Sequence, residues 1–239
     1  MNGHHKMQTL QAQLALGLSL QDEATFNNFY VGQNAEVVAA LQQSICAQGE
    51  KIIYLCSARG QGASHLLQAA CRYADQVGCS AFYLPLAYSV SLSTEILHGL
   101  ENYALICLDD LHVLSGHPEW EEAIFHLYNR LYEAKRSLIM AAHDLPQSIG
   151  LTLPDLISRL SWGVTYQIHP LTDEEKCKVL ILRAKRRGMT LSEEVGKYMI
   201  THCPRHMSAL FSVLDLLDKA SLAAQRRLTI PFVKEVLQI

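Results

Sequence analysis

The chain has little of what would commit it to most binding or structural roles. It carries no surplus of positive charge: 20 Lys and Arg against 23 Asp and Glu leave a net charge of −3 with His neutral. A whole-chain basic signature for wrapping nucleic acid is therefore excluded. No apolar run approaches the roughly 20 residues that a membrane-spanning helix needs. The N-terminus lacks the apolar core of a signal peptide, because polar Gln and Thr interrupt it. No CxxC pair occurs among the seven cysteines, which are scattered and odd in number. That argues against a zinc site or a disulfide framework, and for a reducing, cytoplasmic setting. What the chain does have is apolar residues, 49% of 239, enough for a large core in one moderate domain or two small ones.

The apolar residues are patterned differently in three stretches. Residues 1–25 are polar apart from "QLALGLSL" (Gln13 to Leu20) and read as a flexible N-terminal arm, too short to fold alone. Residues 26–169 alternate short apolar runs with amphipathic segments. "KIIYLCSA", "SAFYLPLA", "YALICLDDLHVL", "SLIMAAHD" and "GVTYQIHP" read as strands, the third ending in two carboxylates. "SHLLQAACRYADQVG", closed by Gly78, and "WEEAIFHLYNRLYEAKR" read as helices. Continuous apolar strands alternating with helices predict an α/β fold, a parallel sheet covered on both faces. Residues 170–239 read as helices only. Thr172-Asp173-Glu174-Glu175 is a capping-box start, Gly188 stops that first helix, and further helices follow Ser192, Pro204 and Thr229.

"SARGQGAS" (Ser57 to Ser64) falls between a predicted strand and a predicted helix. There, backbone N–H groups and a helix N-terminus converge on an anion. The usual phosphate loop is Gly, four residues, then Gly-Lys-Ser/Thr. Here Ser57 replaces the first Gly and Ala63 replaces the Lys, while Gly62 and Ser64 fit. Gly60 and Gly62 supply the backbone freedom of a phosphate nest, and the Ser64 hydroxyl is of the type that ligates Mg²⁺. A Gly-rich strand-to-helix turn is also often only a turn. "LICLDD" adds Asp109 and Asp110 at the end of a buried strand. In a P-loop ATPase the first such carboxylate supports Mg²⁺ and the second orients water; otherwise the pair merely caps the next element. Without the lysine, backbone amides still hold α- and β-phosphates, but the γ-phosphate loses its main fixed charge. A diphosphate is then the better ligand and turnover is poor.

"SARGQGASHLLQAAC", "LICLDDLHVL", "LISRLSWGVTYQI" and the helical tail together resemble the AAA+ module of DnaA, the bacterial replication initiator. "TFNNFYVGQN" (Thr25 to Asn34) is similar to the segment that leads into that module and lines its adenine pocket. The helix-turn-helix DNA-binding domain that completes the initiator is not expected after the helical tail. With the "QLALGL" arm in front, the chain resembles the DnaA-related AAA+ regulatory inactivators of DnaA over about residues 13–239.

The resemblance implies roles residue by residue. Asn28, Phe29, Ser57, Arg59, Gly60, Gln61, Gly62, Ala63, Ser64 and His65 line the nucleotide, with Asp144 at the sensor-1 position and Arg205 as the sensor-2 arginine of a small helical lid domain. Ser64 and Asp109 are the Mg²⁺ positions, and Asp110 completes a vestigial Walker-B pair. Arg159 in "SRLSWG" matches the arginine finger that reaches a neighbour's γ-phosphate; read alone, an arginine before an apolar strand is a solvated or salt-bridged residue. Gln13, Leu14, Leu16 and Leu18 look like the Gln-Leu-x-Leu-x-Leu peptide that binds the DNA polymerase sliding clamp (beta subunit), or they tuck onto the domain. The implied cofactor is ADP or another nucleoside diphosphate, with Mg²⁺ as a companion. The implied partners are DnaA, the clamp, DNA indirectly through the clamp, and further copies of the chain through AAA+ packing. The expected function is an adaptor without autonomous ATPase activity that stimulates hydrolysis of DnaA-bound ATP and so restrains initiation. A self-contained ATPase such as a helicase loader is the alternative, and a nucleotide-stabilised scaffold the third reading.

Overall fold

The computed structural model describes residues 24–239, so Gln13, Leu14, Leu16 and Leu18 lie outside the described residues. The chain divides into two compact units, one formed by residues 24–58 and 62–168, the other by Arg59–Gln61 and His169–Ile239.

The first unit runs α1 (Ala35–Ile45), β1 (Ile52–Cys56), α2 (Ala63–Gln76), β2 (Ala81–Pro85), α3 (Leu86–Ser89), β3 (Leu105–Asp109), α4 (Pro118–Glu133), β4 (Ser137–Ala142), α5 (Pro154–Leu160) and β5 (Val164–Gln167). The five strands form one sheet in the order β2-β3-β4-β1-β5, every pair parallel. Strand residues alternate between faces. Tyr54, Ile106, Leu108, Leu138 and Met140 pack with Trp120, Ile124, Leu127 and Leu131 of α4. Ile53, Leu55, Leu105, Cys107, Ile139 and Ala141 pack on the other side with Leu41 of α1 and with Leu66, Leu67 and Ala70 of α2. Both faces are dry, which is why these strands read as unbroken apolar runs.

The structure departs from the sequence expectation at several points, the strand read over 80–87 ending at Pro85 where a helix takes over. The apolar run 103–114 is a strand only to Asp109, because Asp110 takes a left-handed conformation (φ 59°) that breaks the ladder. Helix α1 was not foreseen, although Val37, Leu41 and Ile45 recur at helical spacing and are buried.

The second unit holds α6 (Asp173–Arg186), α7 (Glu193–His202), α8 (Met207–Ala224) and α9 (Ile230–Leu237). The capping box is present: Thr172 accepts from the Glu175 N–H while Glu175 accepts from the Thr172 N–H. Leu180, Met199, Leu210, Leu214, Leu217 and Val233 make a separate core. At Gly196 a Cβ would come within 2.7 Å of the Cys177 sulfur, so only glycine permits that close approach of α7 to α6. Arg187 pairs with Asp215 across this unit. Among the described residues, no helix is long and apolar enough to cross a membrane.

Candidate functional site

Because all five strands are parallel, their carboxyl ends share one edge of the sheet. The chain leaves β1 toward β2 on one side, while β4 connects to β5 on the other. The end of β1 is therefore a topological switch point, where open α/β sheets place ligands. The loop after β1, Asp109 and Asp110 at the end of β3, and Asp144 just past β4 all meet that edge.

The loop explains its own departures from the usual pattern. Ser57 extends the ladder, its N–H donating to the Ala142 carbonyl at 2.9 Å, and its hydroxyl donates to the Ala58 carbonyl at 3.2 Å. It is not among the residues with positive φ, so this position does not require glycine. Gly60 (φ 78°) and Gly62 (φ 103°) do have left-handed backbones. Gly62 is the N-cap of α2, and a Cβ there would lie 2.9 Å from the Phe29 ring. The loop is thus a cradle that only glycine leaves open. Phe29 also packs on His65, with ring centroids 5.6 Å apart, and a His65 ring nitrogen lies 2.9 Å from the Thr25 carbonyl oxygen. Asn28 and Phe29 are thereby brought beside the first turn of α2, and a helix N-terminus is a place where an anion can be held. Ala63 opens that turn and contributes no charge.

The carboxylates are differently employed. Asp109 is buried; the Tyr83 hydroxyl donates to its Oδ2 at 2.7 Å, and the Asp110 N–H donates to its Oδ1 at 3.0 Å. Burial and the Asp109 charge push the Tyr83 phenol far above its usual range, so it remains a donor. Gln68 of α2 donates to the Tyr83 oxygen at 3.4 Å, linking the helix to the carboxylate. Asp144 is exposed; its Oδ1 accepts from the Leu145 N–H at 2.7 Å and its carbonyl accepts from the buried Tyr54 hydroxyl at 2.7 Å. His112 and His143 pack with ring centroids 4.2 Å apart and planes tilted by 55°, and burial followed by the neighbouring His143 lowers the His112 pKa.

Ser64 and Asp109 are hard oxygen donors that suit Mg²⁺, an ion usually held by one or two carboxylates together with phosphate oxygens and water. Among the described residues no group of three or more His, Cys, Asp or Glu is disposed to hold a metal ion by itself.

Arg159 is placed elsewhere in the first unit, near the end of α5 and shortly before Val164, which pairs with Ile53 at the start of β1. The phosphate loop leaves the far end of β1, a strand of five residues or roughly 15 Å. Helix α5 is anchored by Glu121 of α4, a fully buried carboxylate. It accepts from the backbone N–H groups of Thr152 at 2.8 Å and Leu153 at 2.7 Å, and from the Thr152 hydroxyl at 3.2 Å. The Arg159 guanidinium lies over the Trp162 ring, 4.1 Å from its centroid. Glu121, Tyr83 and Trp162 were not foreseen. Trp162 had a visible signal, three residues after Arg159; Glu121 and Tyr83 had none, since their partners are distant in sequence.

In the second unit, Arg59–Gln61 group with the helices. A Cβ on Gly60 would lie 2.8 Å from the Cβ of His206, the N-cap of α8. Arg205 is exposed in the turn before α8.

Residues 173–237 match the family model described as "Hda, lid domain", and residues 91–167 match that of the bacterial DnaA ATPase domain. Domain III of the Thermotoga maritima replication initiation protein DnaA superposes with a TM-score of 0.80 at 20% identity, over 92% of this chain and 97% of that one. AMPPCP-bound DnaA from Aquifex aeolicus gives 0.70 at 23% identity, over 84% and 66%. The RuvB Holliday junction branch migration motor of Thermotoga maritima gives 0.66 at 11% identity, over 88% and 69%. At these identities the structural likeness shows a shared fold alone.

Proposed function

We propose that the chain, which matches the Hda lid-domain model over residues 173–237 and the bacterial DnaA ATPase-domain model over residues 91–167, is a nucleotide-bound adaptor acting on DnaA rather than on ATP of its own. In this reading Gln13, Leu14, Leu16 and Leu18 dock on the polymerase sliding clamp loaded on DNA. Arg159 then meets the ATP held by DnaA, and hydrolysis there switches the initiator off.

The observation that carries the reading is a division of chemistry along β1. At one end is a phosphate cradle with an alanine where a lysine would serve. Near the other end is an arginine that the length of the strand separates from its own chain's loop. A guanidinium supplied by a neighbour stabilises charge on the transferred phosphoryl group, and is worth about 10³–10⁵ in rate in related GTPases. Gly60, Gly62 and the first turn of α2 would hold the phosphates of a nucleoside diphosphate, with Phe29 against the loop. The bound nucleotide supplies negative charge to a cradle of N–H groups.

The decisive experiment is ATP turnover by DnaA with and without this protein, clamp and DNA. Acceleration that requires all three components is the expected result; strong turnover by the purified chain alone would favour the self-contained ATPase instead. Ala63→Lys is expected to improve triphosphate binding more than diphosphate binding, since the new charge lies nearest the terminal phosphate. Equal gains, measured by titration calorimetry, would count against that placement. Replacing Leu16 and Leu18 with Ala removes two apolar anchors, each worth up to about 1.5–3 kcal/mol when fully buried. Clamp binding should fall at least about tenfold with an unchanged melting temperature. A lower melting temperature with clamp binding intact would make the segment a structural strap.

A further inference from the structure

Three aromatic side chains form a series of ring contacts that ends under Arg159. Trp162 lies under its guanidinium. Tyr132 meets the Trp162 ring edge-on, at 6.4 Å between centroids and 72° between planes. Tyr128 stacks on Tyr132 at 6.4 Å and 9°. Tyr132 and Trp162 are 56% and 59% exposed, whereas Tyr128 is buried and its hydroxyl has no hydrogen-bond partner. Burial raises the Tyr128 phenol pKa and the Arg159 charge pulls it back.

Among the described residues, the Arg159 side chain makes no hydrogen bond and no ion pair. Its contact is with a π face. A cation over a ring is held through the plane of the guanidinium, and that leaves the N–H donors at its edge unused. A carboxylate at the same place would occupy those donors and would have to be displaced before they met a phosphate. Glu121 fixes the start of α5, and Trp162 holds the side chain at its end.

We infer that Trp162 is the positioning residue of Arg159: its indole face, propped by Tyr132, presents the guanidinium with its donors open toward the phosphate of a neighbouring subunit. The inference rests on the trans-acting reading of Arg159 and assigns to Trp162 a role in rate rather than in docking. Preorganisation of this kind acts on the transition state, because the finger need not be ordered when the partner arrives.

Two measurements test it. The first uses the free chain and needs no partner. Of its two tryptophans, Trp120 is 1% exposed, so acrylamide reports on Trp162. Arg159→Ala uncovers one indole face and is expected to increase quenching; unchanged quenching would overturn the contact. The second uses ATP-loaded DnaA with clamp and DNA. Trp162→Ala should lower the maximal stimulated rate about three- to tenfold while the half-saturating concentration changes little. Trp162→Phe, which keeps a π face, should restore most of the rate. A Trp162→Ala protein that reaches the full maximal rate, or loses only apparent affinity, overturns the positioning role, as does a Phe variant no better than Ala. If Arg159→Ala itself stimulates as well as wild type, the adaptor reading fails, and the quenching result still decides whether the cation is held by the indole.

Discussion

Arg159→Ala is expected to abolish stimulation of DnaA-bound ATP hydrolysis while leaving this chain's own nucleotide affinity and its clamp binding unchanged. The effect should be the largest of any single substitution, because a finger arginine in trans contributes about 10³–10⁵ in rate in related GTPases. The loss falls on the maximal rate more than on complex formation, since the guanidinium meets charge that develops only in the transition state. The unchanged nucleotide affinity follows from position: Arg159 precedes Val164, which pairs with the start of β1, and the phosphate cradle leaves its end. Titration of a diphosphate against the isolated variant, beside stimulated hydrolysis at saturating chain, checks both halves. A variant that loses its nucleotide as a monomer would place Arg159 in cis and remove the central residue of the adaptor mechanism.

Glu121→Ala should be the most destabilising change at the finger. The carboxylate is fully buried and satisfies the backbone N–H groups of Thr152 and Leu153. Each buried donor left without a partner costs about 1–3 kcal/mol, so for the two a loss of roughly 2–6 kcal/mol is expected. For a domain of this size each kcal/mol lost corresponds to a fall of about 2–4 °C in melting temperature. Glu121→Gln keeps an acceptor oxygen and should lose less than half as much. Because the same bonds hold the start of α5, the folded Glu121→Ala protein at low temperature should also stimulate more weakly than wild type. Urea unfolding of the three proteins checks the energetics. A Glu121→Ala protein as stable as wild type would mean that Thr152 and Leu153 are satisfied by solvent.

Much of this architecture was written in local pattern. Five apolar strands, the capping box at Thr172 and the change to helices only after residue 169 are short-range signals, each set by a few neighbouring side chains. The glycine loop after β1 was legible for the same reason: a loop between strand and helix needs glycine where the backbone turns left-handed, and Gly60 and Gly62 stand there. Tertiary structure decided what depends on partners far apart in the chain. Asp109 reads as a free carboxylate until Tyr83, from the neighbouring strand, is seen to donate to it. Glu121 reads as one more charge in the first turn of α4 until the loop at 152–153 closes over it. Ser57 reads as a defect in the motif, yet its backbone lies in the sheet ladder and needs no glycine. Arg159 could be matched to a finger from its neighbours in sequence. Only the register of β5 on β1 carries it away from its own phosphate loop, because strand pairing, not sequence distance, sets which end of the sheet a side chain occupies.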